Sequence, residues 1–183
     1  TRTSIIKSEA HSEGAMVATK DRHATEAGLD ILSAGGNAID AAVAACFAIG
    51  VVEPASSGIG GGGYLVFEVG GSGGVVGFPM RGPLNASSEM YKLSGEPVGG
   101  GFGWAEVLGD ENLEGPKSIC TPGAVAGLFA AHRLHGRLPM PELMAPAINL
   151  ARAGFTPGWH NSYALNRAAS RFYKFPELKR IFM

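Results

Sequence analysis

The chain has 183 residues, of which 45% are apolar and 17% charged, and its formal net charge is −1. This composition is that of a globular protein and excludes intrinsic disorder. Because no basic cluster larger than Lys179-Arg180 occurs, the sequence predicts neither a nucleic-acid partner nor a charged membrane-surface patch. The longest apolar run, 41–52, is too short to span a bilayer, so no membrane segment is expected in this chain.

The first elements in chain order are a short strand and a helix. The apolar run Ala15–Thr19 predicts a strand that ends in polar residues. Ala24, Ala27 and Ile31 recur at helical spacing, and the pair of glycines at 35–36 predicts the end of that helix.

A second helix, over roughly 38–50, is predicted to be buried. Asn37 is a good N-cap residue, and Asp40 stands where the acid of a capping box belongs. The helix is apolar on every face, which is typical of a fully buried helix, and Cys46 within it is expected to be a buried thiol. Pro54 is expected to end it.

The remainder of the chain predicts a mixture of strands and helices. The segments YLVFEV and GVVGF predict two strands joined by a glycine-rich hairpin turn, and an irregular stretch is expected over 92–117. Helices are predicted at 123–136, at 140–154 and at 161–173, and Pro146 is expected either to kink the second of these or to mark its first turn. Because no long linker interrupts these elements, we predict a single domain of the α+β class over 1–183.

The glycine-rich loop in SSGIGGGGYLVFEVGG raises the question of nucleotide binding. It matches G-x-G-x-x-G at Gly58, Gly60 and Gly63, but it follows a helix and opens a strand, which reverses the order of a dinucleotide site. No acid follows about twenty residues on to bind a ribose, and no lysine completes a phosphate loop. We therefore favour tight backbone packing and positive φ as the reason for the glycines. Direct contact of the loop N–H groups with a ligand is the weaker alternative.

The residue types that hold metals are sparse and poorly spaced. Two cysteines, Cys46 and Cys120, provide neither a disulfide framework nor a metal set. His132 and His135 lie three residues apart near a helix end, where the helix dipole favours cations, and no further ligand is spaced nearby. We predict no metal and no organic cofactor.

The N-terminal part of the chain resembles the gamma-glutamyltranspeptidase family. The resemblance lies in the small-residue entry segment, the EAG…IL..GGNAIDAAVA helix pair, the VVEP.SSGIGGGG exit and the apolar strand that follows. TPGAVAGL and AINLARAGF resemble later parts of the large subunit of that family. Together these segments cover most of 14–157.

The resemblance implies an N-terminal nucleophile hydrolase. Members of the family are made as one precursor that cleaves itself, and the new N-terminal Thr of the small subunit becomes the nucleophile. The implied fold is a four-layer αββα sandwich, which is completed by the partner small subunit. This chain resembles the first part of the large subunit, so we expect no catalytic residue within it. Thr1 is not expected to be the nucleophile, since TRTSIIKSEAH does not resemble the start of the small subunit.

The resemblance points to one substrate-binding residue, Arg81. In this family an Arg shortly after the second strand binds the α-carboxylate of the γ-glutamyl group, and a guanidinium suits that task because it is planar and always charged. The family usually has an acid directly after this Arg, whereas this chain has Gly82. The departure weakens a strictly glutamyl-specific interpretation. The alternative without a binding role is that Arg81 is a surface side chain that follows a strand.

The function that the resemblance implies is hydrolysis or transfer of a γ-glutamyl group from glutathione-like amides through a Thr ester. A related amidase with a different carboxylate-bearing acyl donor is one alternative. A binding or structural homologue that has lost catalysis is the other. The expected partners are the small subunit from the same precursor and a small-molecule amide substrate. No targeting segment is present in the chain, and the resemblance allows a periplasmic or secreted location without excluding the cytoplasm.

Overall fold

A computed structural model of the chain describes residues 9–97 and 103–183. Over these residues the chain combines α-helices with antiparallel strands, which confirms the α+β class. It divides into two compact units. The helical unit comprises Thr1–Gly58 and Leu128–Met183, and the strand unit comprises Ile59–Gly127. Thr1 and the glycines at 99–101 lie outside the described residues.

The helical unit is built around a buried helix hairpin. Its helices are α1 (Arg22–Ser33), α2 (Ala38–Val52), the end of α3 (Ala124–His135), α4 (Met140–Ala153), α5 (Trp159–Phe172) and α6 (Pro176–Phe182). α2 packs against both α1 and α4, and its largest fully buried side chains are apolar apart from Asp40. The predicted burial of α2 is confirmed on most of its surface, because apolar residues on several faces meet a helix on each side.

The polar residues at the start of α2 form hydrogen bonds both within their own helix and to the loop after α3. As predicted, Asn37 and Asp40 form a capping box, in which the Asp40 side chain accepts from Asn37 N at 2.9 Å. The fully buried Asp40 carboxylate also accepts from Arg137 N, at 3.0 Å and 3.1 Å to its two oxygens, and from Leu138 N at 3.4 Å. Asn37 Nδ2 donates to His135 O at 2.6 Å. The loop after α3 is therefore bonded to the N-terminus of α2.

The strand unit contains two antiparallel pairs. β1 (Gly63–Val69) pairs with β2 (Ser72–Phe78), and Gly70 and Gly71 form the hairpin turn with φ values of 60° and 77°. This hairpin is the predicted one, and its twist requires positive φ at both turn residues. Side chains alternate between a half-buried and an exposed face, as the period of a strand requires. A second pair, β3 (Leu93–Pro97) and β4 (Ala105–Val107), lies in the stretch expected to be irregular.

Three expectations from sequence need correction. Ala15–Thr19 forms no strand: no described strand pairs with it, and Thr19 N donates to Thr25 Oγ1 instead. The 92–117 stretch contains β3 and β4, whose strand pattern the neighbouring glycines obscured in the sequence. The short α6 was not predicted. Pro146 lies inside the continuous helix α4 rather than at its start. Within the described ranges, no helix combines the length and apolar character needed to cross a bilayer.

Candidate functional site

Arg81 lies just beyond the end of β2, on backbone that is fixed by a neighbouring segment. Its N–H donates to Thr121 O at 3.1 Å, and Thr121 N donates to Arg81 O at 2.8 Å. This two-way exchange is an isolated antiparallel bridge. Because Thr121 is followed almost directly by α3, the bridge connects the segment after β2 to the segment that leads into this helix.

The glycine-rich loop takes part in the same arrangement. Gly61 O accepts from both Gly123 N and Ala124 N at 3.0 Å, so the loop is bonded to the segment that holds Arg81. The loop follows α2 and opens β1, as the order of elements in the sequence predicted. Gly58 of this loop has the predicted positive φ, 154°, whereas none of the four glycines at 60–63 does. Close backbone packing, the other predicted reason, is what the hydrogen bonds support.

The side chain of Arg81 is exposed and available to a ligand. No residue within 9–97 or 103–183 forms a hydrogen bond or an ion pair with its guanidinium. A guanidinium carries five N–H donors in a fixed plane and can bind two carboxylate oxygens at once. Gly82 supplies no acid that could pair with the guanidinium or orient it. Within the part of the chain that the structure describes, the arrangement is therefore an unpaired cation whose backbone is held by the Thr121 bridge.

Two of the clefts formed by the described residues lie in the helical unit, and Arg81 lines neither of these two. The first, of about 420 Å³, is lined mainly by α5 together with Pro54, Ala55 and Phe182. The second, of about 560 Å³, lies between 14–19 and the first two helices. Buried Asn161 lines the first cleft; its Nδ2 donates to Val52 O at 2.7 Å, and its Oδ1 has no partner among the described residues.

Beside the first cleft is a polar cluster that sequence reasoning missed. Glu53 is only 5% exposed and accepts from Lys20 Nζ at 2.7 Å and from Ser56 Oγ at 3.3 Å. Lys20 Nζ also lies 2.8 Å from His160 Nδ1. The cluster consists of Lys20, Glu53 and His160, which are far apart in sequence, so no local motif reveals it. Lys20 and Ser56 thus compensate the buried Glu53 carboxylate at the end of α2, which would be costly without a partner.

The remaining candidate metal ligands have contacts within the fold that explain them without a metal. His132 Nε2 donates to Leu138 O at 2.7 Å, which folds the loop after α3 back on the helix. No group of three or more His, Cys, Asp or Glu side chains suited to a metal occurs among the described residues. Cys46 is exposed, contrary to the prediction of a buried thiol, because it lies at the rim of the second cleft. Desolvation by its apolar surroundings still raises the pKa of its thiol.

Comparison with known proteins places this arrangement in a family. Residues 24–183 match the gamma-glutamyltranspeptidase family. Glutathione hydrolase 3 of Arabidopsis thaliana is 37% identical over 179 residues, which are 97% of this chain and 26% of that protein. The Acylase ACY 1 proenzyme of Pseudomonas sp. (strain V22) is 38% identical over 165 residues, which are 88% of this chain and 29% of that protein.

A solved structure agrees with the sequence matches. The crystal structure of Helicobacter pylori gamma-glutamyltranspeptidase superposes with a TM-score of 0.85 at 32% identity, over 96% of this chain and 48% of that one. The chain thus spans about a quarter of the curated relatives named here and about half of the solved chain. Both the breadth of the family match and the fold agree with the motifs around the glycine-rich loop, and the chain belongs to the gamma-glutamyltranspeptidase family.

Proposed function

We propose that this chain is the large-subunit portion of an enzyme that hydrolyses or transfers the γ-glutamyl group of glutathione-like amides. The family match supports the reaction class, and the name of the Arabidopsis relative supports the glutathione-like substrate. The observation that carries the proposal is the exposed guanidinium of Arg81 just beyond the end of β2, which has no partner among the described residues. We also propose that residues 1–183 are part of a single domain, an αββα sandwich completed by the rest of the precursor.

The proposed reaction is acyl transfer through a covalent ester. The hydroxyl of a Thr at the N-terminus of the small subunit attacks the amide carbonyl, with the free α-amine of that Thr as the adjacent base. The amine of the substrate leaves, and water or an acceptor amine then releases the acyl group. Donors that stabilise the oxyanion belong to the partner subunit as well. The proenzyme name of the Pseudomonas acylase supports a precursor that is processed.

In this scheme Arg81 binds the carboxylate of the acyl donor. A charge-assisted, two-pronged contact fixes the distance between the carboxylate and the scissile amide, so that the carbonyl meets the nucleophile in a reactive orientation. Since Arg81 has no competing acid among the described residues, its charge is fully available to the donor. The remaining walls of the binding cleft come from the part of the enzyme outside this chain.

Two alternatives are separated by the choice of acyl donor. A related amidase on the same fold is favoured by Gly82, which replaces the usual acid, and by the acylase among the relatives. It would prefer a carboxylate-bearing acyl group that has no amino group. A homologue without activity would turn over neither donor after processing of the complete precursor.

Replacing Arg81 with Ala in the complete mature enzyme tests the proposal. A charged hydrogen-bonded contact contributes about 1.5–3 kcal/mol, so KM for a γ-glutamyl anilide should rise about 10- to 100-fold. Arg81→Lys should recover part of the loss, because it keeps the charge but not the planar fork. Arg152→Ala, at an exposed arginine of α4, is the matched control. An unchanged KM in Arg81→Ala would reject the assignment.

A further inference from the structure

The backbone just before Arg81 passes extremely close to Gly62. A Cβ atom at position 62 would lie 2.5 Å from Met80 N, 2.6 Å from Phe78 O and 2.8 Å from Pro79 C. All three are backbone atoms, which cannot rotate away as the end of a flexible side chain can. Position 62 therefore admits only glycine unless the backbone leading to Arg81 moves.

Gly123 closes on the same stretch of backbone. A Cβ atom at position 123 would overlap Phe78 O and would lie 2.9 Å from Pro79 O. The two glycine-bearing segments are themselves joined, since Gly123 N donates to Gly61 O at 3.0 Å. Phe78 and Pro79 thus contact two backbones that are hydrogen-bonded to each other, immediately before the Arg81–Thr121 bridge.

Space, rather than unusual backbone conformation, explains these two glycines. Neither Gly62 nor Gly123 has positive φ, so an alanine would be acceptable at both if the neighbouring backbone were absent. Gly60, in the same loop, differs because a Cβ atom there would meet nothing within 4 Å. The loop therefore contains a crowded glycine and an uncrowded one a short distance apart.

We infer that Gly62 and Gly123 are positioning residues that set the location of the Arg81 guanidinium, and with it the specificity for carboxylate-bearing donors. The inference rests on the proposed role of Arg81. Neither glycine touches the substrate; each acts through the backbone of 78–80. An added methyl group would force that backbone to shift, and charged hydrogen bonds to a carboxylate tolerate little displacement.

The test compares Gly62→Ala and Gly123→Ala with the matched control Gly60→Ala, all in the complete mature enzyme. Two donors are used: a carboxylate-bearing γ-glutamyl anilide, and an analogue of the same chain length in which the carboxylate is replaced by a carboxamide. We expect KM for the first donor to rise about tenfold in the two crowded-site variants, with kcat nearly unchanged. The carboxamide donor should show no change, and Gly60→Ala should match the wild type with both donors.

Combining each substitution with Arg81→Ala separates the inference from the proposal on which it rests. If the glycines act through Arg81, Gly62→Ala should add almost nothing to the KM of Arg81→Ala. If Arg81→Ala raises KM while Gly62→Ala behaves like Gly60→Ala, the inference is wrong and the proposed function stands. An unaffected Arg81→Ala enzyme removes the proposed function itself.

Two further outcomes also overturn the inference. Equal increases in KM for both donors would show a general disturbance of the site rather than a displaced guanidinium. Loss of folded, processed enzyme in both Gly62→Ala and Gly123→Ala, as judged by thermal unfolding, would show that the glycines act on folding and not on substrate position.

Discussion

Asp40 in the helical unit and Arg81 in the strand unit are charged side chains with opposite surroundings. In the helical unit the buried carboxylate of Asp40 accepts hydrogen bonds from three backbone N–H groups, those of Asn37, Arg137 and Leu138. In the strand unit Arg81 is held only through its backbone, and its guanidinium has no partner among the described residues. The charge of Asp40 is compensated inside the fold, whereas that of Arg81 has no partner among the described residues.

The difference shows how to separate a structural charge from a candidate binding charge. A buried charge must be compensated, since an unpaired one is strongly destabilising, so Asp40 contributes to stability through the bonds it accepts. An exposed charge needs no compensation from the protein, so an unpaired guanidinium on a fixed backbone costs little and remains available. Stability measurements should therefore respond to Asp40, and donor selectivity should respond to the surroundings of Arg81.

The largest effect is expected for Asp40→Ala. The substitution leaves backbone N–H groups at the start of α2 and in the loop after α3 without an acceptor, and each buried unsatisfied donor costs about 1–3 kcal/mol. We expect the free energy of unfolding to fall by about 3 kcal/mol in total. Urea unfolding of the complete protein measures it.

The matched control for Asp40 is Asp30→Ala, which removes an exposed carboxylate from α1. It should change the free energy of unfolding by less than about 0.5 kcal/mol. If Asp40→Ala lowered the free energy of unfolding no more than Asp30→Ala, the proposed difference between the buried and the exposed carboxylate would be wrong.

A smaller effect, on selectivity, is expected for Gly82→Glu. The site has room for a side chain, since a Cβ atom at position 82 would meet only Ala86 Cβ at 3.6 Å. The new carboxylate would attract the ammonium group of a γ-glutamyl donor but not a glutaryl donor, which lacks that group. An exposed ion pair contributes about 0.2–1 kcal/mol, so the ratio of kcat/KM values should shift about two- to fivefold toward the γ-glutamyl donor.

Gly82→Gln is the control, because it adds nearly the same volume without the charge. It should leave the ratio of the two donors unchanged. A ratio that moves equally in the Gln and Glu variants would mean that volume, not charge, governs selectivity beside Arg81.

The smallest effect is expected for Glu26→Ala. Glu26 pairs with Arg22 at 2.6 Å on the surface of α1, where the two side chains are 47% and 86% exposed. Water and salt screen such a pair, so its loss should change the free energy of unfolding by no more than about 0.5 kcal/mol. A double-mutant cycle with Arg22→Ala measures the coupling. A coupling above about 1 kcal/mol would show that this exposed pair stabilises the protein more than solvent screening allows.

Much of the local structure followed from short-range patterns. Helical spacing predicted α1 to α5, the Asn37–Asp40 capping box was confirmed, and the glycine-rich turn predicted the β1–β2 hairpin. The strand predicted at Ala15–Thr19 was wrong because an apolar run becomes a strand only when another strand pairs with it. The predicted burial of the Cys46 thiol was wrong because the apolar composition of a helix does not reveal which of its faces borders a cleft.

The candidate site was only partly predictable. Arg81 could be selected from its place after the second strand and from the family resemblance, and its substrate-binding role stays a prediction. The motifs could not reveal the bridge to Thr121 or the distinct positions of Gly60 and Gly62, because successive glycines look alike in a sequence. The Lys20–Glu53–His160 cluster was missed for a different reason: its members are far apart in sequence and meet only after the chain has folded.

The sequence alone determined helices α1 to α5, the capping box of α2, the hairpin and the family, because each depends on neighbours within a few residues or on an ordered set of motifs. The tertiary structure decided which polar groups meet. Asp40 bonds to a backbone N–H that is 97 residues away, and the backbone before Arg81 is enclosed by glycines from two separate segments. The physical reason is that hydrogen bonds and steric contacts act over a few ångströms in space, whatever the separation along the chain.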